Sequence, residues 1–260
     1  MASEISPRAE ISPKAQIGNN CKIFPFVYIE DDVVIGDNCI IFPFVSILNG
    51  TRMGNGNKIH QGSVIAALPQ DFNFKGETSE CIIGDNNVIR ENVVINRATH
   101  TGGKTIIGNG NFLMEGAHIS HDTHVGDNCV FGYGTKIAGD CEIGNGVIFS
   151  SSVIENANTR VGEGAMIQAG TTFSKDVPPY IIAGGNPVHY QGPNLTMMAA
   201  YGIGEKVQKH VTNAYRLVFN GQVSVFDATL QVKDQVPDSP EIQLIVSFLQ
   251  QTQKGIIGKI

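Results

Sequence analysis

Large apolar residues recur every six positions from Ile5 to Phe173. The register runs through Ile5, Ile11, Ile17, Ile23, Ile29, Ile35, Ile41, Ile47, Met53, Ile59 and Ile65. It resumes at Ile83, Ile89 and Ile95, continues from Ile107 to Phe149, and closes with Val161, Ile167 and Phe173. Of 29 positions, 25 are large and apolar; the exceptions are Asp71, Glu77, Thr101 and Glu155. A fixed period over such a length predicts a solenoid, in which each unit buries its apolar face only by stacking on its neighbours. A second column lies two residues before each anchor and is almost always small, as at Ala15, Cys21, Val27, Val33, Cys39, Val45 and Thr51, and later at Ala117, Thr123, Cys129, Thr135, Cys141 and Val147. All five cysteines, Cys81 included, fall in it, so they read as inward packing residues. There is no CxxC pair to suggest a metal site. Cys21 and Cys39 stand where stacking would permit a disulfide, although reduced thiols are expected in a cytosolic protein.

A third period is carried by Gly18, Gly36 and Gly54, then Gly108, Gly126, Gly144 and Gly162. The spacing of eighteen makes three hexads per coil, and glycine suits a sharp corner because it tolerates φ > 0 and close backbone approach. Three short strands and three corners make a triangular prism whose coils stack at about 4.8 Å. Residues eighteen apart then lie above one another. Between 54 and 108 the glycine phase breaks, which predicts two projecting loops at about residues 66–79 and 97–104. Loops on a rigid scaffold commonly carry function.

After Pro193 the period changes. Val207, Val211, Tyr215 and Val218 follow helical spacing within 203–220. Ser224 starts a second helix over 225–234, and Ser239 with Pro240 starts a third that ends near Gly255. The expected architecture is an all-β parallel β-helix over residues 1–192 and a small α-helical domain over 193–260.

The formal charge of −6 argues against nucleic acid, whose partners are basic. No apolar run is long enough to cross a bilayer, and Met1 to Ile5 lack the features of a signal peptide. A cytoplasmic protein is expected.

Glu115 to His124 holds three of the seven histidines. Ile119 points inward, so His118 and Ser120 flank an anchor and His121 falls near a corner. The stacking rule places Gly139 above His121. A histidine titrates near neutrality and can take a proton from a hydroxyl. Asp122 can hold its ring, and the Gly139 N–H can face a developing oxyanion. Spacing alone leaves a plain surface histidine open. His118 and His124 occupy different faces, so no metal is expected within one chain; a site shared between subunits stays open.

Four segments carry a resemblance: Pro69-Gln70-Asp71 with Gly76-Glu77; Ile83-Gly84-Asp85-Asn86 through Ile89-Arg90-Glu91; Ala117 to Asp122; and Asp176 to Ile181 with Gly185-Asn186. On these the chain resembles the UDP-N-acetylglucosamine O-acyltransferases of lipid A biosynthesis. The resemblance implies a left-handed β-helix, a homotrimer with sites between prisms, and no cofactor. It implies transfer of a 3-hydroxyacyl group from acyl carrier protein to the sugar 3-hydroxyl of UDP-N-acetylglucosamine. His121 matches the family's general base, Asp122 its support and Gly139 its oxyanion amide. Gln70, Asp71, His118 and Asn194 match substrate contacts, and Gln168 and Ala169 the position that limits acyl length. The chain departs from the family where a His-Gln-Phe segment reads Glu155-Asn156-Ala157, and where a basic segment reads Ala199-Ala200-Tyr201-Gly202-Ile203. A different acyl donor or acceptor, or a non-catalytic binding protein, are the alternatives.

Overall fold

The computed structural model describes residues 2–220 and 223–258. Its first part is a triangular prism of two- to four-residue strands. Each strand pairs in parallel with the equivalent strand one coil away, as in Lys22↔Ile40 and Ile23↔Ile41. One face is an eleven-stranded sheet that starts at Glu4–Ile5. The second, nine-stranded, starts at Glu10–Ile11, and the third, eight-stranded, at Gln16–Ile17. The anchors fill the interior, with Ile41, Ile47, Ile59, Ile65, Ile89, Ile95 and Ile119 showing no exposure. All five cysteines are buried and unpaired. Four of them donate to the carbonyl fifteen residues ahead, as Cys129 does to Gly144.

The periodic glycines serve close approach. A Cβ on Gly18 would lie 2.6 Å from the carbonyl carbon of Gly36, so consecutive coils press backbone on backbone there. Positive φ belongs to other corner positions, such as Asn20 (φ 56), Asn38 (φ 59) and Gly110 (φ 65). Asparagine tolerates that region because its side chain bonds locally. Gly84 resolves the apparent break in phase. The coil step there is thirty residues, twelve more than eighteen, and the next is twenty-four, six more. The extra residues form two excursions. One leaves after Val64–Ala67 and returns at Glu80–Ile83; the other leaves after Val94–Asn96 and returns at Lys104–Ile107. Both project from the edge between the second and third faces.

The prism ends in a strand, Ile181–Gly184, and an antiparallel partner, His189–Pro193. Four helices follow: α1 (Leu195–Ala200), α2 (Glu205–Asn220), α3 (Val225–Gln235) and α4 (Pro240–Gln250). Ser224 and Ser239 cap α3 and α4 as expected. Helix α1 was not expected; it is one and a half turns long and too short to show a period. Helix α4 stops at Gln250, not near Gly255. Its continuation is captured by Asp176, which bonds Thr252 through its side chain and Gly255 and Ile257 through its backbone. Tyr215, fully buried, bonds the Pro179 carbonyl and ties α2 to the prism.

Candidate active site

His121 sits on the edge between the second and third faces, after the strand His118–Ile119 and before His124–Val125. Both excursions emerge from the same edge. Asp122 adopts φ 57, and this left-handed turn swings its carboxylate back beside the preceding ring. His121 Nδ1 lies 2.9 Å from Asp122 Oδ2. The carboxylate can only accept, so Nδ1 carries the proton and Nε2 is left as a lone-pair acceptor. That is the tautomer a general base requires. Oδ2 also accepts from the Thr99 N–H (3.0 Å) and hydroxyl (2.8 Å), and the Asp122 N–H bonds Thr105 Oγ1. Asp122 Oδ1 faces His100 Nδ1 at 3.1 Å. The second excursion thus clamps Asp122, and Asp122 clamps the ring.

The ring of His121 lies against Gly139. A Cβ on Gly139 would stand 2.4 Å from His121 Cε1 and 2.8 Å from Nε2. Any side chain at 139 would displace the imidazole. The Gly139 N–H donates to no group among the described residues. At the neighbouring edge the equivalent N–H groups of Asn19, Asp37, Asn109 and Asp127 are each capped by an Asp or Asn side chain of the next coil. Above Gly139 that residue is Ala157, which cannot accept. The geometry therefore leaves one free amide beside the histidine.

The first excursion brings Asp71 to the ring, with Oδ2 3.9 Å from His121 Nε2. His118 faces the same edge one strand earlier. Its Nε2 lies 2.8 Å from Asn96 Oδ1, while Asn96 Nδ2 donates to the Leu68 carbonyl at 2.7 Å. The amide orientation makes His118 Nε2 the donor. Burial first, and then the positive charge of Lys136, hold His118 below the usual imidazole range, so it is neutral at pH 7. Arg97 bonds Asn49 and stacks over Phe74, 5.7 Å from the ring centre, and so fastens the first excursion.

The expected site residues divide. Asp71, His118, His121, Asp122 and Gly139 converge on one edge, with Gln70 exposed on the same excursion. Asn194 does not join them: its Oδ1 caps α1 at Met197 N, and its Nδ2 bonds the Gly164 carbonyl. Gln168 and Ala169 are exposed on a different edge, between the first and second faces. Asn96, Thr99 and His100 were not singled out by the sequence as members of the cluster. Thr99 and His100 lie off the repeat, where no periodic signal points, and Asn96 ends the last strand before the excursion.

Three comparisons agree with this picture. Residues 176–257 match the family description "Udp N-acetylglucosamine O-acyltransferase; Domain 2", and residues 14–41, 32–67 and 104–139 match "Bacterial transferase hexapeptide (six repeats)". An acyl-[acyl-carrier-protein]–UDP-N-acetylglucosamine O-acyltransferase from a Sulfurihydrogenibium species is 44% identical over 254 residues, covering 97% of this chain and 94% of the relative. The UDP-N-acetylglucosamine acyltransferase LpxA of Bacteroides fragilis superimposes with a TM-score of 0.96 at 49% identity, covering 97% of this chain and 99% of that one. The Francisella novicida UDP-N-acetylglucosamine acyltransferase gives 0.95 at 29% identity, over 98% and 94%. The prism is a left-handed parallel β-helix, and the chain belongs to the UDP-N-acetylglucosamine O-acyltransferase family.

Proposed function

We propose that this chain transfers a 3-hydroxyacyl group from acyl carrier protein to the 3-hydroxyl of UDP-N-acetylglucosamine, the first step of lipid A biosynthesis, and that His121 is the general base. The observation that carries the reading is the free Nε2 of His121, fixed by the Nδ1–Asp122 bond beside an uncapped Gly139 amide. In the reaction the sugar oxygen attacks the thioester carbonyl while its proton passes to His121 Nε2. The oxyanion forms facing the Gly139 N–H, as charge stabilisation requires. Collapse expels the carrier's thiolate, which takes the proton back from the imidazolium. Asp122 stabilises that imidazolium, and Asp71 and neutral His118 are placed to hold sugar hydroxyls. No step calls for a cofactor.

We place Gln168 and Ala169 at the end of an acyl groove. They and His121 lie on different edges of one prism, so a single site that uses both requires a neighbouring copy. A homotrimer about an axis parallel to the prism meets that requirement. Phe72, fully exposed at the tip of the first excursion, is a surface for such a neighbour to cover. No helix among the described residues is long and apolar enough to cross a membrane, and we place the reaction in the cytoplasm.

His121→Ala is expected to lower kcat for transfer from 3-hydroxyacyl carrier protein by roughly a hundredfold or more, the usual contribution of a positioned base. Turnover equal to wild type in a direct product assay would sink the reading. One observation favours a second reading in which the acceptor differs. The segment where the family is basic puts Tyr201 Oη against Gly146 and supplies no cation. A donor and acceptor competition assay, with acetyl-CoA and other sugar nucleotides, separates the two.

A further inference from the structure

Glu155 interrupts the apolar column. It occupies an anchor position between Ile137 and Phe173 and is 1% exposed. A charge there would lie inside hydrocarbon, and burial pushes the carboxyl up to about 8. Its Oε1 is 2.8 Å from Thr159 Oγ1, and its Oε2 is buried with no hydrogen-bond partner.

Thr159 takes the less common arrangement of its column, shared with Thr51, whose hydroxyl donates back to the Leu48 carbonyl. Thr123, Thr135 and four cysteines of the same inner column donate forward, to the carbonyl fifteen residues on. Thr159 turns back, to Glu155 Oε1 and to the Asn156 carbonyl at 2.7 Å. A hydroxyl has one proton and cannot donate to both. The conflict disappears if Glu155 is a neutral acid. Its own proton then goes to Thr159 Oγ1, and the Thr159 proton goes to Asn156. With Glu155 ionised, the single Thr159 proton leaves either a buried carboxylate oxygen without a donor or the Asn156 carbonyl with the weak Cys141 thiol alone, and each loss is costly in the interior.

This pair sits directly above the oxyanion turn. The Ala138 N–H donates to the Glu155 carbonyl at 3.0 Å, and the Asn158 N–H donates to the Gly139 carbonyl at 3.1 Å. The two bonds flank the free Gly139 amide on either side. The Cys141 thiol approaches the Asn156 and Gly139 carbonyls from within, at 3.4 and 3.6 Å. From outside, Lys254 Nζ donates to the Ala157 carbonyl. The other charged neighbour is Asp176, whose carboxylate accepts from Arg160 N and Thr252 Oγ1.

We propose that Glu155 is a positioning residue: held as a neutral carboxylic acid inside the coil, it directs Thr159 onto Asn156 and so fixes the 156–158 turn that sets the Gly139 amide. The role rests on the reading of Gly139 as oxyanion donor.

The test uses the full chain, with Glu155→Gln and Thr159→Val beside wild type. Infrared difference spectroscopy, wild type minus Glu155→Gln, reads the protonation of this carboxyl without any need for turnover. The expected result is a protonated carboxyl at pH 7 that ionises as pH rises through about 8. Wild-type kcat falls in the same range with KM for the sugar nucleotide little changed. Glu155→Gln, which keeps shape and a donor, retains neutral-pH activity and loses that alkaline fall. Thr159→Val lowers kcat roughly tenfold at every pH, with its circular dichroism unchanged. An ionised Glu155 at pH 7, or an alkaline fall that persists in Glu155→Gln, overturns the positioning role alone. Full activity in His121→Ala overturns the proposed reaction as well.

Discussion

At the scale of single residues, the candidate chemistry depends on two backbone peculiarities. One is the left-handed conformation of Asp122, which lets neighbouring side chains meet. An ordinary strand would send them to opposite sides. The other is the missing side chain at 139. Its glycine is not needed for positive φ; it is needed because the imidazole of His121 occupies the space of a Cβ. Gly139→Ala should therefore fold, since its backbone is unstrained, and yet push the ring off its place. The expected outcome is a loss of roughly a hundredfold in kcat, with a melting temperature within a few degrees of wild type. Steady-state kinetics and a thermal melt on the same sample check both halves.

At the scale of the element, one hexad does two jobs. The strand Ile154–Glu155 holds its register in the second face, with Ile154↔Thr172 and Glu155↔Phe173, and it also carries an acid into the core. The linkage has a definite sign. Below about pH 4.5, the ordinary value for this acid, folded and unfolded chains both hold the proton. As pH rises the unfolded chain releases it first, while the native coil keeps it until about 8. The unfolded state then binds fewer protons than the native state, so stability falls with pH across this window and levels off above it. Melting temperatures of wild type should decline from about pH 4.5 to about 8 relative to Glu155→Gln. Parallel curves for the two proteins would show that the carboxyl is ionised in the native state.

At the scale of the whole molecule, the prism is a stack in which each coil touches only its neighbours, and the helices and the tail after α4 close its far end. Asp176 is a main fastener, bonding Arg160 within the prism and Thr252, Gly255 and Ile257 beyond α4. The three edges are chemically unequal. One carries both excursions and the histidines, another carries Gln168, Ala169 and the stacked exposed rings of Phe26 and Phe44, 5.2 Å apart. A site that draws on two edges needs a second copy. Sedimentation equilibrium should therefore give three times the 27.9 kDa chain mass. Phe72→Asp, at a loop tip where it cannot disturb the core, should weaken that assembly. A monomer that retains full activity would overturn the shared-site arrangement.

The fold was written in the sequence to an unusual extent, because a solenoid repeats one local solution. An apolar residue every sixth position and a glycine every eighteenth set the strand, corner and coil, and nearest neighbours alone complete the structure. The same rule sets Gly139 against His121 from the eighteen-residue spacing alone. It assigned the glycines to corners but left open which of their two properties mattered; the coil-to-coil contacts show that it is close approach. What lay off the repeat was not legible. Thr99 and His100 belong to an excursion with no period, and only the folded edge carries them to Asp122. Asn194 stood in a matching position, yet its side-chain oxygen caps α1 and its amide nitrogen bonds the Gly164 carbonyl of the prism. Sequence by itself determined the column, and with it the anomaly at Glu155. Tertiary structure decided what that anomaly touches, because a hydrogen bond depends on tenths of an ångström across coils, and the period specifies only which coils are neighbours.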